Sequence, residues 1–410
     1  MNAPSPTSIV LSFEDARHLV EEHAAGLHPV GKELTSLLGS VGLILAEPVT
    51  ADRDFPPFPR AARDGYAVRA ADLHQTPATL TVVGEIKAGA PENPHLRIEP
   101  GQAASIMTGA ASPPGADAVV MVEHTSRSAD HVEVRKPVLA GENIVAVGSE
   151  AKRGDRLLSP GTRLDHAAIA LAASVGKTHL LVYSRPKIAV LATGDEIKDI
   201  AAQPGPNQIR NSNSYSLAAQ IQAAGADPVL LPIAPDEPSR LREFIADGFE
   251  ADTLLISGGV SMGKYDLVES ALAEFNAEFF FTAVQIQPGR PAVFGKARQK
   301  YFLGLPGNPV STMVTFELFA RPLIEALSGM SPHKLIFLYA KLKSEIKTKT
   351  GLKRFLPALI SGEFEQSEVE LVRWQGSGDI AATARANCYI VIPPDREKIA
   401  AGEWVPILMR

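Results

Sequence analysis

Three short apolar runs, KIAVLA (Lys187–Ala192), TLLIS (Thr253–Ser257) and YFLGL (Tyr301–Leu305), have the length and composition of strands buried on both faces. The segments between them read as helices, so this stretch predicts an α/β layered sheet. Upstream, Ser12 to Asp15 is an S-x-x-D helix start ahead of a helical stretch to about Ala25, and a second helix is predicted from Thr35. Between Ala51 and Ala140 the strand candidates TLTVV, AASIM, AVVMV and HVEVR are separated by turns, the pattern of a small mostly-β domain. Gly141 to Tyr183 returns to Gly-containing turns around one helix, HAAIALAAS. Beyond a linker at SGMSP (Ser328–Pro332), LIFLYAKLK, RFLPALI, VELVRW, CYIVIP and WVPILMR are strand-like and predict a second small β domain.

The chemistry concentrates in loops that end these apolar runs. They are TGDE (Thr193–Glu196), SGGVSMGKYD (Ser257–Asp266), QPGRP (Gln287–Pro291) and LPGNPVS (Leu305–Ser311). Ligands bind layered α/β sheets outside the carboxyl ends of the strands, where these loops fall. Gly258 and Gly259 let backbone N–H groups wrap an oxyanion. Asn308 and Pro309 suit an N-cap and first helical position, so a helix from about Val310 to Leu327 aims its free N–H groups at the same crevice. Arg290 adds a planar positive fork for phosphate or a related oxyanion. Glu196, Asp236 and Asp266 are hard oxygen ligands of the kind Mg²⁺ uses when it bridges to phosphates.

Each signal has a plainer reading. Gly and Pro loops often only punctuate the chain. Asp236 and Asp266 stand just before helical stretches, where an N-cap Asp is worth about 0.5–2 kcal/mol without any ligand, and Asn308 shares that ambiguity. The joint occurrence at successive strand ends favours a site. Gly258 to Lys264 fits G-x-x-x-x-G-K, but Tyr265 stands where a nucleotide triphosphatase needs a Ser or Thr hydroxyl for Mg²⁺. The GKT at Gly176–Thr178 also fails, because Leu171 replaces the first glycine and the preceding residues read as helix.

Composition narrows the classes further. A chain of 410 residues is too long for one ordinary core and predicts two to four domains. With 45% hydrophobic and 21% charged residues it reads as globular, and a net charge of -6 without a Lys/Arg cluster argues against a nucleic-acid partner. The one cysteine, Cys388, lies in an apolar run and is expected to be a buried strand residue. The ten histidines form no HxxxH or His/Cys pair, which disfavours zinc, and His18, His23 and His28 read as a helix surface and its exit. MNAPSPTSIV has no secretory signal pattern and no stretch reaches membrane-span length, so no membrane association and a cytoplasmic location are expected.

The loops together resemble the molybdopterin molybdenumtransferase family, MoeA in bacteria and the E domain of gephyrin in animals. PPFPRAARDGYAVRAAD (Pro56–Asp72), SIMTGA (Ser105–Ala110) and PGADAVVMVE (Pro114–Glu123) extend the similarity over almost the whole chain. The resemblance implies a multidomain α/β fold: an elongated N-terminal α+β domain in two segments (1–50 and 141–185), an inserted mostly-β domain (51–140), a three-layer α/β molybdopterin-binding-like domain (186–330) and a C-terminal β domain (331–410). It also implies that adenylylated molybdopterin is the substrate and that molybdate enters its dithiolene, with Mg²⁺ assisting and AMP released.

Carried over by motif, the resemblance implies Asp64 and Thr108 on a β-domain face of the cleft and Glu196, Asp236 and Asp266 on the α/β face as catalytic residues, with Asp236 and Asp266 on Mg²⁺. Gly258, Gly259, Ser261, Pro306, Gly307, Asn308 and Pro309 would bind substrate, and Gln287, Arg290, Pro291 and Ser377 would form the molybdate end. The implied assembly is a homodimer in which the β domain of one subunit closes over the α/β domain of the other. A molybdopterin adenylyltransferase and the proteins that mature molybdoenzymes are the implied partners. The sequence departs from the family pattern at Gln287 (commonly Lys), Leu352 (near a family Arg), Ala151 (Asp) and Arg63 (Met). Two alternatives share the fold: a molybdopterin adenylyltransferase-like enzyme, against which the flanking domains argue, and a non-catalytic scaffold or paralogue.

Overall fold

The structure is a computed structural model and describes residues 9–91, 93, 95–259, 267–330 and 335–410. The chain forms two compact units. One comprises Met1–Ala46, Gly161–Leu164 and Leu180–Arg410, and the other Glu47–Pro160 and Asp165–His179.

The larger unit is organised by a six-stranded sheet in the order Asp227–Leu230, Lys187–Ala192, Thr253–Ser257, Lys300–Leu305, Val293–Ala297, Glu278–Phe281. The first four strands are parallel and the last two antiparallel. The apolar runs are uninterrupted because both faces are covered. Ile188, Val190 and Leu255 pack under the helices Phe13–Ala25, Ser212–Ala223 and Pro309–Thr315. Ala189, Leu191, Leu254 and Ile256 turn the other way, toward Pro238–Gly248 and Leu267–Ala273. This alternation gives three layers and leaves the carboxyl ends of the strands open.

The expected first helix forms at Phe13–Ala25, with Ser12 Oγ accepting from Asp15 N–H at 3.1 Å. His23, expected on that helix's surface, instead stacks on Phe280 at 4.1 Å, with its Nδ1 3.1 Å from Tyr301 Oη; burial lowers its pKa. The helix expected from Thr35 does not form. Lys32–Ser36 is a strand followed by one 3-10 turn, Leu38–Ser40, because Leu34 and Leu38 are 69% and 78% exposed and give a helix no apolar face to bury. The helical run after Asn308 continues through Pro309–Thr315, a π-helical turn Phe316–Ala320 and Arg321–Leu327. Pro322 supplies no N–H within it, and the wider turn just before it accommodates that loss.

All five C-terminal strand candidates form. Phe337–Leu342, Lys353–Ser361, Glu368–Leu371, Cys388–Ile392 and Trp404–Met409 join one sheet, and the pairing of Lys353–Ser361 with both Glu368–Leu371 and Cys388–Ile392 closes it on itself. Cys388 is fully buried there, and burial pushes its thiol up to about 11. The sequence pattern did not reveal that Ile286–Gln287 joins this sheet as an edge, parallel to Lys353–Arg354.

The smaller unit contains the four predicted strands, at Ala78–Ile86, Gln102–Ile106, Ala118–Met121 and His131–Val134. Gly65–Val68 and Thr125–Ser128 complete a six-stranded sheet. HAAIALAAS is a helix, His166–Ser174, capped by Asp165 Oδ1 accepting from Ala168 N–H at 2.8 Å.

Candidate functional site

The turns at the carboxyl ends of the parallel strands are built from backbone packed against backbone. Gly258 has φ +94°, and a Cβ there would stand 2.8 Å from Thr193 O. Gly259 has φ +67°, and a Cβ there would meet Val268 Cγ2 at 2.6 Å and Thr193 Oγ1 at 2.9 Å. Both positions therefore exclude side chains and bring bare backbone to the strand ends. The expectation that both N–H groups are free for an oxyanion needs correction at Gly258, whose N–H donates to Leu305 O at 3.1 Å as part of the pairing between strand ends. Gly307 lies against Gly258, where an added Cβ would come 3.6 Å from the Gly258 Cα. The Glu196 side chain folds back over Gly194, with its carboxylate 2.5 Å from where a Cβ at Gly194 would stand.

These turns surround a cavity of about 1010 Å³. Of the sequence-derived candidates, Glu196, Asp236, Gly258, Gly259, Pro291, Pro306, Gly307, Asn308 and Pro309 line it. Its apolar wall includes Ile197, Ile209, Leu267 and Ile380. Glu196 and Asp236 are both exposed carboxylates. Asp236 does not act as a helix cap: the helix Pro238–Gly248 has Glu237 at its N-cap without a side-chain bond. The backbone N–H of Asp236 instead donates to Asp195 Oδ1 at 3.1 Å. Its carboxylate is thus available to the cavity, and the capping explanation fails for this residue.

Asn308 does occupy an N-cap position with Pro309 following, but its side chain makes no cap bond. The expectation that this helix start offers free N–H groups needs correction. Pro309 has no N–H, and Val310 N–H donates to Ser377 O at 3.0 Å. That bond brings Ser377 to the edge of the cavity, whose lining includes the neighbouring Gly378.

Gln287 and Arg290 do not line the cavity, although Pro291 does. Arg290 is exposed, and its guanidinium makes no ion pair among the described residues. Gln287 is in register with Arg354, which is 7% exposed and donates from Nη1 to Leu352 O at 3.1 Å. Lys353 is held elsewhere, in an ion pair with Glu14 and over the Phe13 ring at 4.9 Å.

Reasoning from sequence missed Arg210 to Asn213, all of which line the cavity. Asn211 caps the helix Ser212–Ala223, and Asn213 reaches Ser257 Oγ and Gly307 O, each at 2.8 Å. The string RNSNSY before an apolar run carries the signal of an N-cap, but the bonds of Asn213 to two strand ends are long-range and leave no mark in local pattern.

Asp64 and Thr108 belong to the smaller unit. Asp64 precedes Gly65, whose Cα side abuts the Val120 carbonyl so closely that no side chain fits. Asp64 Oδ1 accepts from Thr108 N–H at 2.6 Å and from Thr108 Oγ1 at 2.8 Å. The backbone bond first and the hydroxyl second hold its carboxyl below the usual range. Ser261 and Asp266 lie outside the described residues. Among the described residues no three His, Cys, Asp or Glu side chains converge as a metal cluster, and no helix is long and apolar enough to cross a membrane.

Three family profiles match the chain in order: "MoeA N-terminal region (domain I and II)" over residues 11–176, "Probable molybdopterin binding domain" over 189–326 and "MoeA C-terminal region (domain IV)" over 339–409. A molybdopterin molybdenumtransferase of Nostoc sp. is 35% identical over 388 residues, covering 92% of this chain and 88% of that protein. One from Haemophilus influenzae is 34% identical over 409 residues, covering 97% and 98%. The crystal structure of a molybdopterin biosynthesis MoeA protein from Pyrococcus horikosii superimposes with a TM-score of 0.73 at 31% identity, covering 98% of this chain and 99% of that one.

The Asp64–Thr108 pair makes a pH prediction. A carboxyl whose folded pKa is depressed contributes stability above its unfolded value of about 3.9, and that contribution is lost as pH falls through the folded pKa. Thr108→Val removes the hydroxyl bond and keeps the backbone one. The Asp64 midpoint, followed by carboxyl ¹³C NMR, should rise part of the way toward the ordinary value; an unchanged midpoint would show that the hydroxyl contributes nothing.

Proposed function

The chain belongs to the MoeA family of molybdopterin molybdenumtransferases, which acts in molybdenum cofactor biosynthesis, and on that premise we propose that its strand-end cavity binds adenylylated molybdopterin and inserts molybdenum from molybdate with release of AMP. The observation that carries this reading is the convergence of side-chain-free turns at Gly258, Gly259 and Gly307 with two exposed carboxylates, Glu196 and Asp236, around one cavity. The backbone N–H groups of Gly259 and Gly307 suit the oxygens of a phosphoanhydride. The apolar wall of Ile197, Ile209 and Ile380 suits the flat rings at the substrate's ends.

The donor set also fits Mg²⁺, which binds through one or two carboxylates while sharing the substrate's phosphates. Asp236 would hold it from the described side of the cavity, Asp266 is assigned on sequence grounds, and Glu196, which lines the same cavity, would orient the ion's water ligands or the substrate. When bound, the ion would neutralise charge on the anhydride as its P–O bond breaks. Molybdate, a tetrahedral dianion, is assigned to the border of the cavity at Pro291 and Gly378, next to Arg290 and Ser377. Arg290 lacks a competing carboxylate partner among the described residues, which supports that assignment. Among the family departures, Arg354 beside Gln287 is the cation best placed in register to offset the missing lysine. Nothing in the structure explains Ala151 or Arg63.

The proposal extends to a cytoplasmic homodimer in which Asp64 and Thr108 complete the site of the neighbouring copy, working with a molybdopterin adenylyltransferase and the proteins that mature molybdoenzymes. Incubation with adenylylated molybdopterin, molybdate and Mg²⁺, with AMP release as the readout, tests the activity. An adenylyltransferase-like enzyme would instead form the adenylylated compound from ATP, and a scaffold would do neither.

Three outcomes are expected. Asp236→Asn should lower AMP release at limiting Mg²⁺ by about 100-fold while leaving the thermal midpoint unchanged, since this side chain caps nothing; full activity would remove it from the metal site. Dimers mixed from Asp64→Ala and Asp236→Ala chains should recover about one working site per dimer, and no recovery over either parent would refute the exchange of residues between subunits. Arg290→Ala should raise the molybdate concentration for half-maximal insertion by roughly tenfold or more, and Gln287→Lys should lower it. If neither variant moved that concentration, the QPGRP loop would not be the molybdate end.

A further inference from the structure

Asn213 is the second residue of a helix that it does not cap. Asn211 takes that role, its Oδ1 accepting from Ser214 N–H at 3.1 Å and its Nδ2 donating to Ser214 Oγ at 2.9 Å. The Asn213 amide is therefore free to reach across the strand ends, where Nδ2 donates to Ser257 Oγ at 2.8 Å and to Gly307 O at 2.8 Å. A carbonyl can only accept, so Gly307 dictates which way round the amide sits. Oδ1 is then buried and has no hydrogen-bond partner among the described residues. Unpaired buried acceptors are uncommon, and this one persists because both amide hydrogens are committed to the two turns. A second orphan sits beside the same turn: Thr193 is 5% exposed, and its Oγ1 has no partner among the described residues. It lies 2.9 Å from where a side chain at Gly259 would begin.

We propose that Asn213 is a positioning residue for adenylylated molybdopterin: its one amide group ties the Ser257–Gly259 turn to the Gly307 turn and so sets the spacing of the two backbone surfaces that receive the substrate's phosphates. The inference rests on assigning this cavity to the adenylylated substrate. Asn213 acts through the turns and not on the reacting atoms. Its helix packs on the sheet and against the helix Pro309–Thr315, with Leu217 and Ile221 fully buried, so the amide is held from a rigid base. The two orphan atoms show that the turn's polar groups are not arranged for their own satisfaction, as expected of a surface preorganised for a ligand.

The test uses the full-length protein and two variants. Asn213→Asp keeps the size of the side chain but removes both donated hydrogens and sets a carboxylate against the Gly307 carbonyl. Asn213→Ser keeps one donor. KM for adenylylated molybdopterin should rise about 20-fold or more in the Asp variant and by less in the Ser variant. The molybdate concentration for half-maximal insertion should stay within about twofold, and the thermal midpoint within a few degrees. AMP binding by titration calorimetry should weaken in the same order. Variants with an unchanged KM would overturn the inference, as would an equal loss for both substrates accompanied by a lowered thermal midpoint, which marks a merely structural residue. If the Asp variant does not fold, the Ser variant decides on the same criteria. A wild-type protein that neither binds nor releases AMP would sink the substrate assignment and this inference with it; a competent wild type with indifferent variants would sink the inference alone.

Discussion

At the end of the strand Thr253–Ser257 the chain passes so close to Thr193 that Gly258 has its Cβ position 2.8 Å from a backbone carbonyl. That approach is possible only because the neighbouring strand Lys187–Ala192 is parallel and in register, with Ala192 opposite Ser257. Parallel pairing in turn requires the intervening chain to cross over the sheet, and this chain does so with helices whose apolar residues cover both faces. The narrow turns and the cavity above them follow from this stacking of strand ends.

The cavity combines two kinds of surface. Its floor is backbone, contributed by Gly258, Gly259, Pro306 and Gly307, and is positioned by rigid strands. Its carboxylates, Glu196 and Asp236, are exposed and carried on loops, with contacts such as the 3.1 Å bond from Asp236 N–H to Asp195. Such a division suits a substrate with one part to be gripped and another at which charge develops, because donors fixed before binding need no reorganisation during reaction.

Continuity between the central and C-terminal sheets rests on packing as much as on hydrogen bonds. Phe13 meets Phe355 edge-on at 5.2 Å, and both belong to the apolar core that also contains Tyr389, Leu408 and the central strands. The two-residue strand Ile286–Gln287 joins the C-terminal sheet immediately before the Gly289–Pro291 turn. The QPGRP segment is therefore anchored in one sheet while Pro291 borders the cavity of the other. Gly289, at φ +106° and with no room for a Cβ beside Thr315, permits that passage.

Local pattern was enough to read the strands KIAVLA and TLLIS, the Ser12 cap, the His166–Ser174 helix and all five C-terminal strands, because burial on one or both faces writes a period into the residues themselves. The glycine turns and their carboxylates were legible for the same reason: residue type at a strand end constrains what the backbone can do. The helix expected from Thr35 fails because Leu34 and Leu38 remain exposed and impose no period that distinguishes helix from strand or turn. Tertiary structure alone decided that Asp236 caps nothing, that Val310 N–H is taken by Ser377, and that Gln287 lies beside Arg354. It also decided that Asn213 bridges positions 44 and 94 residues away. Bonds of that range depend on where separate elements come to rest, and no local preference of Asn, Asp or Gln specifies the partner that folding brings to it.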